Sequence, residues 1–306
     1  ALPHFPEMQM QIVPAHKRNA LIAVQFVAPA AIMIVLFIVF PIGKTVVMAF
    51  QDWYLASGRT EHAFIGFKNF SDALSNSNFV QMAWVTALYT VLGVAGKMYI
   101  GLGGALLLNQ EFRGRAFVRG LMLIPWAMPA VVACTVFMIS LDPTYGILNS
   151  MLVKAGILKG PLDFFSGKAL ALGTVIAIGI WKNFPFVTLM ILAALQGIPK
   201  DYYDAAAIDG AGVWRRFRAI TMPSIRPIWN TLLILETLWT VKEFELVYLI
   251  TKGGPDSGTA IIGVDIYLNA FRFYKLGTAS AEGLMLLVLS LAFASVYFKQ
   301  QKKLGA

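Results

Sequence analysis

The sequence predicts an all-α polytopic membrane protein with six transmembrane helices. Hydrophobic residues make up 58% of the 306 residues and charged residues only 13%, whereas about a quarter of a typical soluble domain is charged. Mean hydropathy is +0.68. Long apolar runs alternate with polar segments along the chain, and about 20 apolar residues suffice for a helix to cross a bilayer. These observations favour a membrane bundle over a soluble fold.

The chain divides into a polar segment (1–20), a six-span domain (21–298) and a basic tail (299–306). Leu21–Gly43 is too long for the apolar core of a signal peptide, so we predict an uncleaved first span. The long polar connections are predicted at 44–78, 141–168 and 251–275. The other predicted spans are Phe79–Leu108, Arg119–Ser140, Ala169–Gln196, Ile228–Ile250 and Thr278–Phe298.

The distribution of basic residues predicts the orientation. Six spans place both termini and the loops near residues 113 and 215 on one side, and that side is the richer in Lys and Arg. Cytoplasmic loops carry such an excess, so both termini are predicted to be cytoplasmic. The net charge of +9 therefore reflects membrane topology, and we predict no nucleic-acid partner.

The most distinctive stretch is the polar interruption from Asp201 to Pro227. Asp201 is predicted to cap a short helix that contains an alanine run, and Gly210 to end that helix in a left-handed turn. A second short helix is predicted to follow, with Pro223 and Pro227 ending it. The result would be a small, smooth helical element with a basic flank of Arg215, Arg216 and Arg218.

The spacing Asp204-Ala205-Ala206, Gly210, Ile220 and Met222-Pro223 resembles the EAA loop of permease subunits in binding-protein-dependent ABC importers. That family has Glu at the position of Asp204 and usually Leu at the position of Met222, so both departures keep charge or apolarity. The wider context is similar to the carbohydrate-uptake branch, the maltose, glycerol-phosphate and multiple-sugar type. It comprises Ala194-Leu195-Gln196, Ile198-Pro199, Asp209-Gly210-Ala211, Phe217 and Thr251-Lys252-Gly253-Gly254-Pro255.

The resemblance implies a permease subunit in a bacterial inner membrane that imports a sugar or oligosaccharide. The 199–227 loop would be a cytoplasmic coupling loop. The implied partners are a second permease chain, expected to differ from this one, two ATP-binding cassette subunits that carry ATP and Mg²⁺, an external solute-binding protein and membrane lipid. The residues implied in coupling to the ATPases are Tyr203, Asp204, Ala205, Ala206, Asp209, Gly210, Ala211, Phe217, Ile220 and Pro223.

We predict no catalysis and no cofactor in this chain itself. A phosphate-binding loop needs two glycines and a Gly-Lys-Ser/Thr end, but Leu162 stands at the first glycine position before Gly167-Lys168, and Ala169 follows. His4, His16 and His62 lack metal-ligand spacing, and the single Cys134 excludes a disulfide framework. Energy for transport would therefore come from partner ATPases.

Charges inside spans are candidates for the translocation path, because an unpaired charge in hydrocarbon is costly. Lys97 and Lys182 lie near the middles of their spans, and they suggest an acidic or phosphate-bearing solute. Pro185 removes a helix hydrogen bond just past Lys182. The alternative interpretation of these residues is structural pairing or packing. The candidate path residues are Lys97, Trp181, Lys182, Asn183, Phe184, Trp239, Glu243 and Tyr248.

Three rival interpretations stay open at this point. An ion-coupled secondary transporter would use Glu236, Glu243, Glu245 or Glu282 as a relay, although no inverted repeat is evident. A membrane-embedded enzyme would use Glu243 and Glu245, but residues two apart on a helix face different sides. The 199–227 loop could also be an amphipathic helix whose arginines contact lipid phosphates.

Overall fold

The computed structural model describes residues 15–58 and 61–304. The predicted segment 1–20 and tail 299–306 therefore lie partly outside the described residues. Within them the secondary structure is helical, with two isolated β-bridges. The helices are α1 (Ala15–Ile34), α2 (Phe40–Ala49), α3 (Lys68–Ser75), α4 (Ser77–Asn109), α5 (Arg115–Ala127), α6 (Ala130–Ser140), α7 (Ile147–Lys154), α8 (Lys168–Gln196), α9 (Lys200–Ile208), α10 (Val213–Arg216), α11 (Met222–Val241), α12 (Glu245–Thr251), α13 (Ile262–Tyr267) and α14 (Leu276–Leu304). Three π-helical segments continue these helices without a break, namely Val35–Val39, Phe217–Thr221 and Leu268–Arg272.

The core of the bundle is the long contact between α4 and α8, with α11 and α5 packed beside it. Small residues allow the two long helices to approach closely: a Cβ built at Gly101 would lie 2.6 Å from Val187 Cγ1. Two apolar clusters extend along this contact. One surrounds Val94, Met98 and Ile191 on the side of α11, and the other surrounds Tyr89 and Val175 towards α12 and α13.

Four single helical stretches among the described residues are long and apolar enough to cross a membrane: Val24–Ala49, Ser77–Asn109, Lys168–Gln196 and Leu276–Ser295. The pair α5 and α6 would make a fifth crossing, although these two helices are bent by 96° at their junction. The sequence predicted a third span over this stretch, and the structure divides it into two helices. Met128 is extended, and because it precedes Pro129 it is disfavoured in the helical region, which explains the break between the two helices.

The predicted fifth span, Ile228–Ile250, is wrong in its bounds. Helix α11 begins earlier, runs to Val241 and is followed by three non-helical residues before α12. The predicted ends at Pro223 and Pro227 do not occur, since both prolines lie inside the helical stretch. Pro223 comes just after the π-helical Phe217–Thr221, and local π adjustments of this kind allow a proline inside a long helix. The π-helical Phe217–Thr221 joins α10 to α11, so helix continues from Val213 to Val241.

Other predicted boundaries shift outward. The first helix begins at Ala15 and, through the π-helical segment, reaches Ala49 rather than Gly43, and α14 continues to Leu304. The 251–275 connection was predicted to be a polar loop, but its central residues Ala260 and Ile261 are apolar and buried. The backbone N–H of Ile262 donates to Thr86 Oγ1 on α4 at 2.9 Å. This connection therefore folds back into the bundle, because its apolar residues find a buried surface there.

Two buried asparagines hold the long connections to the helices. Asn149 Nδ2 donates to the carbonyls of Leu141 and Leu162 at 3.0 and 2.6 Å, and its Oδ1 accepts from Leu162 N. Asn69 Nδ2 donates to the carbonyls of Ala49 and Gln51 at 2.9 Å each. Buried backbone carbonyls without partners are costly. These side chains therefore give the loops at 44–78 and 141–168 defined conformations.

Candidate functional site

The 199–227 loop contains two short helical pieces at a left-handed glycine. Helix α9 begins after Pro199, so the predicted cap at Asp201 is wrong; Asp201 lies in the first turn. Gly210 has φ +74°, as predicted. Gly210 N–H donates to Ala207 O at 3.0 Å, and Ala211 N–H donates to Ala206 O at 2.8 Å. This hydrogen-bond pair is the Schellman motif, which satisfies carbonyls at a helix end.

A side-chain hydrogen bond joins the first helix of the loop to the helix that follows the loop. Tyr203 on α9 and Thr221 at the start of α11 have their hydroxyls 2.9 Å apart, and Thr221 is buried. The loop is thereby anchored to the continuous helix that follows it. Lys200 Nζ also lies 3.2 Å from Glu111 Oε1, but both side chains are more than 80% exposed, so this ion pair contributes little.

The outer face of the loop is unusually apolar for an exposed surface. Ile208 is 88% exposed, Val213 77% and Trp214 72%. Trp214 stacks on half-buried Phe217 with ring centroids 5.4 Å apart. Sequence reasoning did not include Ile208, Val213 and Trp214 among the candidate coupling residues, although they are apolar residues within the polar stretch 201–227. Of the predicted coupling residues, Asp204, Ala205, Asp209, Gly210 and Pro223 are exposed, and Tyr203, Ala206, Ala211, Phe217 and Ile220 are half-buried.

Lys97, the first predicted path residue, is buried and paired. Its Nζ lies 2.6 Å from Glu236 Oε2 and donates to Thr240 Oγ1 at 2.6 Å. The three residues are 2–5% exposed. The structural alternative therefore accounts for Lys97 in this conformation. The sequence held the signal, since a Lys and a Glu both lay near mid-span, but it could not show that α4 and α11 are neighbours.

Lys182 differs from Lys97. It is half-buried in the middle of α8, and within the described part of the chain no carboxylate lies within ion-pair distance of it. Cys134 on α6 lies near enough to Lys182, Glu243 and Glu245 for their charges to act on its thiol. The fold thus brings α6, α8 and the break after α11 to one region. Helix α8 continues through Pro185, which has no N–H to offer the Trp181 carbonyl.

The other predicted path residues have partners of their own. Trp181 packs edge-on against Phe137 at 4.9 Å. Asn183 Nδ2 donates to the Gly179 carbonyl at 3.0 Å, and the Phe184 carbonyl accepts from Thr188. The first two contacts orient the side chains of Trp181 and Asn183, and the Oδ1 of Asn183 can still accept a hydrogen bond.

The break after α11 positions two further path residues. Glu243 Oε1 accepts from the N–H groups of Phe244 and Leu246 at 3.1 and 3.3 Å, so it caps α12. Tyr248 lies in a row of rings with Phe244 and Tyr267, at centroid distances of 5.1 and 4.7 Å. Trp239 is half exposed and packs against Phe186 at 5.4 Å; sequence reasoning missed Phe186. We find no metal-binding group of His, Cys, Asp or Glu among residues 15–58 and 61–304.

Comparison with known proteins agrees with this architecture. Residues 97–305 match the model of the family described as "Binding-protein-dependent transport system inner membrane component". The sulfoquinovosyl glycerol transport system permease protein SmoG of Agrobacterium fabrum is 37% identical over 92% of this chain and 90% of that protein. The trehalose/maltose transport system permease protein MalF of Thermococcus litoralis is 32% identical over 92% and 94%.

Solved structures share the fold. A chain of a bacterial ABC transporter involved in the import of the acidic polysaccharide alginate superposes with a TM-score of 0.82, at 23% identity, over 94% of this chain and 96% of that chain. The family resemblance predicted from the 199–227 loop is thus confirmed over most of the chain. The protein is a multi-pass inner-membrane permease and belongs to the binding-protein-dependent transport system inner membrane component family.

Proposed function

We propose that this chain is one permease subunit of an ATP-driven importer of a sugar or oligosaccharide, coupled to separate ATPase subunits through the 199–227 loop. The observation that carries the proposal is the loop itself. A short helix with an alanine face ends in a Schellman turn beside exposed Ile208, Val213 and Trp214. Exposed apolar patches mark interaction surfaces, and the small residues allow close seating in a cleft.

The proposed topology has six crossings with both termini in the cytoplasm. The crossings are α1–α2, α4, the bent pair α5–α6, α8, the broken pair α11–α12, and α14. Helix α11 contains Arg226, Asn230 and Glu236 and is less apolar than the other candidates. Its break at residues 242–244 is exposed or half-buried in this chain, so the proposed crossing places it against a partner subunit or a water-filled path, where irregular backbone at membrane depth is tolerated. The 199–227 loop would then face the ATPases.

The proposed assembly contains a second permease chain, two ATP-binding cassette subunits that bind ATP and Mg²⁺, and an external solute-binding protein. The loops at 44–78, 141–168 and 251–277 would face that binding protein, and membrane lipid would surround the exposed spans. The exposure of the first span is consistent with a partner subunit or lipid packing against it in the membrane. No residue of the most apolar window of Val24–Ala49 is buried within this chain.

We propose that the substrate is a saccharide, and more specifically that it carries an acidic group. Trp181, Asn183 and Tyr248 offer rings for stacking and polar atoms for hydroxyl groups. Lys97 is neutralised by Glu236, so the acidic expectation now rests on Lys182. The names of SmoG and MalF refer to sugar derivatives, and the superposed transporter imports an acidic polysaccharide, which supports this class.

Three of the four carboxylates that an ion-coupled transporter would use already have structural partners, which weakens this alternative. Glu236 is bound to Lys97 and Glu243 caps α12. Glu282 is buried and accepts two hydrogen bonds from Asn269 at 2.9 and 3.1 Å. Each therefore has a structural partner, and a relay would have to break these contacts.

Reconstitution tests the proposal. The chain is purified in mild detergent with its co-encoded permease and ATPase subunits, reconstituted in vesicles, and supplied with ATP and binding protein loaded with maltose or an oligouronate. We expect a stable complex and uptake that stops when ATP is omitted. Uptake by this chain alone, driven by a proton or sodium gradient, would overturn the proposal in favour of the secondary transporter.

A further inference from the structure

The buried contact between Lys97, Glu236 and Thr240 joins two helices with different roles. Lys97 lies in α4, in the core of the bundle, while Glu236 and Thr240 lie one turn apart on α11. Residues four apart share a helix face, so both present their side chains to the same lysine. Thr240 also donates to the Glu236 carbonyl at 2.6 Å. Lys97 thus has two partners on one face of α11.

Stability alone does not explain an ion pair at this depth. Both charges lose their hydration, and well-packed apolar residues of similar volume are often as stable or more stable than a buried pair. The surroundings would accommodate such residues, since Val94, Met98 and Leu232 form an apolar cluster along the same helices. A directional contact differs from an apolar one because it fixes register: sliding α11 along α4 would separate the charges.

The position of the contact on α11 is the second observation. Helix runs without interruption from Val213, in the 199–227 loop, to Val241, a distance of about 40 Å at 1.5 Å per residue. Glu236 and Thr240 lie near the C-terminal end of this helical stretch, directly before the break at residues 242–244. Trp239 lies between them in sequence, and Glu243 follows them. A movement of the 199–227 loop that displaces α11 would therefore also displace these candidate path residues.

We propose that Lys97 is a positioning residue that clamps the far end of α11 to α4. The clamp keeps α11 in register with α4 when the 199–227 loop moves, so the two helices move together and carry Trp239 and the break with them. Without the clamp, α11 would slide along α4, and the loop movement would not be passed to the rest of the bundle. This inference rests on the proposed ATP-driven function. It does not require Lys97 to touch the substrate.

The test uses the complete importer in vesicles and measures substrate imported per ATP hydrolysed. The double variant Lys97→Met/Glu236→Met removes both charges without leaving one buried and unpaired. We expect it to assemble and hydrolyse ATP, with import per ATP lowered about tenfold, within the range reported for coupling residues. The exchanged pair Lys97→Glu/Glu236→Lys restores an ion pair and is expected to recover part of the lost import per ATP. If the two side chains only filled space, the exchange would give no such recovery.

Thr240→Val is the milder variant, and Thr237→Val is its matched control. Thr237 lies on the same helix and donates only within it, to the Leu233 carbonyl at 2.6 Å. We expect import per ATP to fall about threefold for Thr240→Val and to stay at the wild-type value for Thr237→Val. This comparison decides the question if the double variant does not assemble.

Two results would overturn the clamp: wild-type import per ATP in the assembled double variant, or equal values for Thr240→Val and Thr237→Val. A failure of the proposed function is a different result. In that case the wild-type complex itself shows no ATP-dependent uptake, whereas failure of the clamp leaves wild-type uptake intact.

Discussion

Tyr203 and Thr221 connect the two ends of the 199–227 loop through hydroxyl groups 2.9 Å apart. Tyr203 belongs to α9, and Thr221 ends the π-helical segment that leads into α11. Because Thr221 is buried, the bond ties an exposed helix to the core of the bundle. This bond therefore helps to fix the orientation of α9 relative to α11.

Tyr203→Phe is expected to loosen α9 while leaving the bundle folded. Losing one such hydrogen bond costs about 1 kcal/mol, which corresponds to roughly fivefold faster hydrogen exchange of the α9 amides by local opening. Thr221→Val should give the same change, and the double variant should add nothing because both remove one contact. The control is Tyr202→Phe, at a 58% exposed neighbour. Equal exchange rates in the Tyr203 and Tyr202 variants would contradict the prediction.

Gly210→Ala is expected to impair coupling through backbone conformation alone. A Cβ at Gly210 would meet no atom within 4 Å, yet φ is +74°, which costs a non-glycine residue about 1–2 kcal/mol. Gly212 is the matched control, since its Cβ would also meet nothing within 4 Å and its φ is −66°. We expect reduced ATP-driven uptake for Gly210→Ala and unchanged uptake for Gly212→Ala, with equal membrane insertion of both.

Gly210→Trp extends the same test to docking. Its bulky side chain adds steric obstruction to the strained turn, so ATP-driven uptake should be lost while the chain still inserts into the membrane. Normal uptake by this variant would remove the 199–227 loop from the coupling role.

Local chemistry was sufficient to predict α9 and its end. A run of alanines followed by Asp-Gly fixes a helix and a left-handed turn within a few residues, and the structure has both. The continuity of α10 with α11 was not predictable in this way. Proline usually ends a helix, but the π-helical Phe217–Thr221 just before Pro223 is the kind of local adjustment that allows a proline inside a long helix.

Contacts between distant segments account for the remaining differences. Whether Lys97 lines a path or forms an ion pair depends on which helix lies beside α4, and a single sequence contains no such distance. The same applies to the 251–275 connection. Ile261 and Val264 are apolar residues in a polar stretch, and their burial became evident only once α4 and α14 were placed beside them.

Lys182→Gln is expected to weaken import of an acidic saccharide selectively. Lys182 is half-buried on α8, and a hydrogen bond to a charged group contributes about 1.5–3 kcal/mol. The half-saturating concentration of an oligouronate should therefore rise at least about tenfold, while that of a neutral sugar should not change. Lys154→Gln, at an exposed lysine of α7, serves as the control. Equal effects on acidic and neutral sugars would contradict an ionic role for Lys182.

Gly101→Ala is expected to destabilise the contact between α4 and α8. The added Cβ would lie 2.6 Å from Val187 Cγ1 and 3.2 Å from the backbone N of Thr188, so relief requires the backbone of α8 to move. Overpacking of this kind costs about 1–3 kcal/mol. It should appear as a lower midpoint for thermal unfolding in detergent, followed by tryptophan fluorescence.

Gly103→Ala separates this packing effect from the general effect of replacing a helical glycine. It lies two residues along α4 on another face, and its Cβ would meet no atom within 4 Å. Alanine stabilises a helix interior by roughly 0.5–1 kcal/mol relative to glycine, so this variant should unfold at the same or a higher temperature. A fall for both variants would mean that the helix, and not the α4–α8 contact, is sensitive. A fall for Gly101→Ala alone would establish that small residues set the distance between the two central helices.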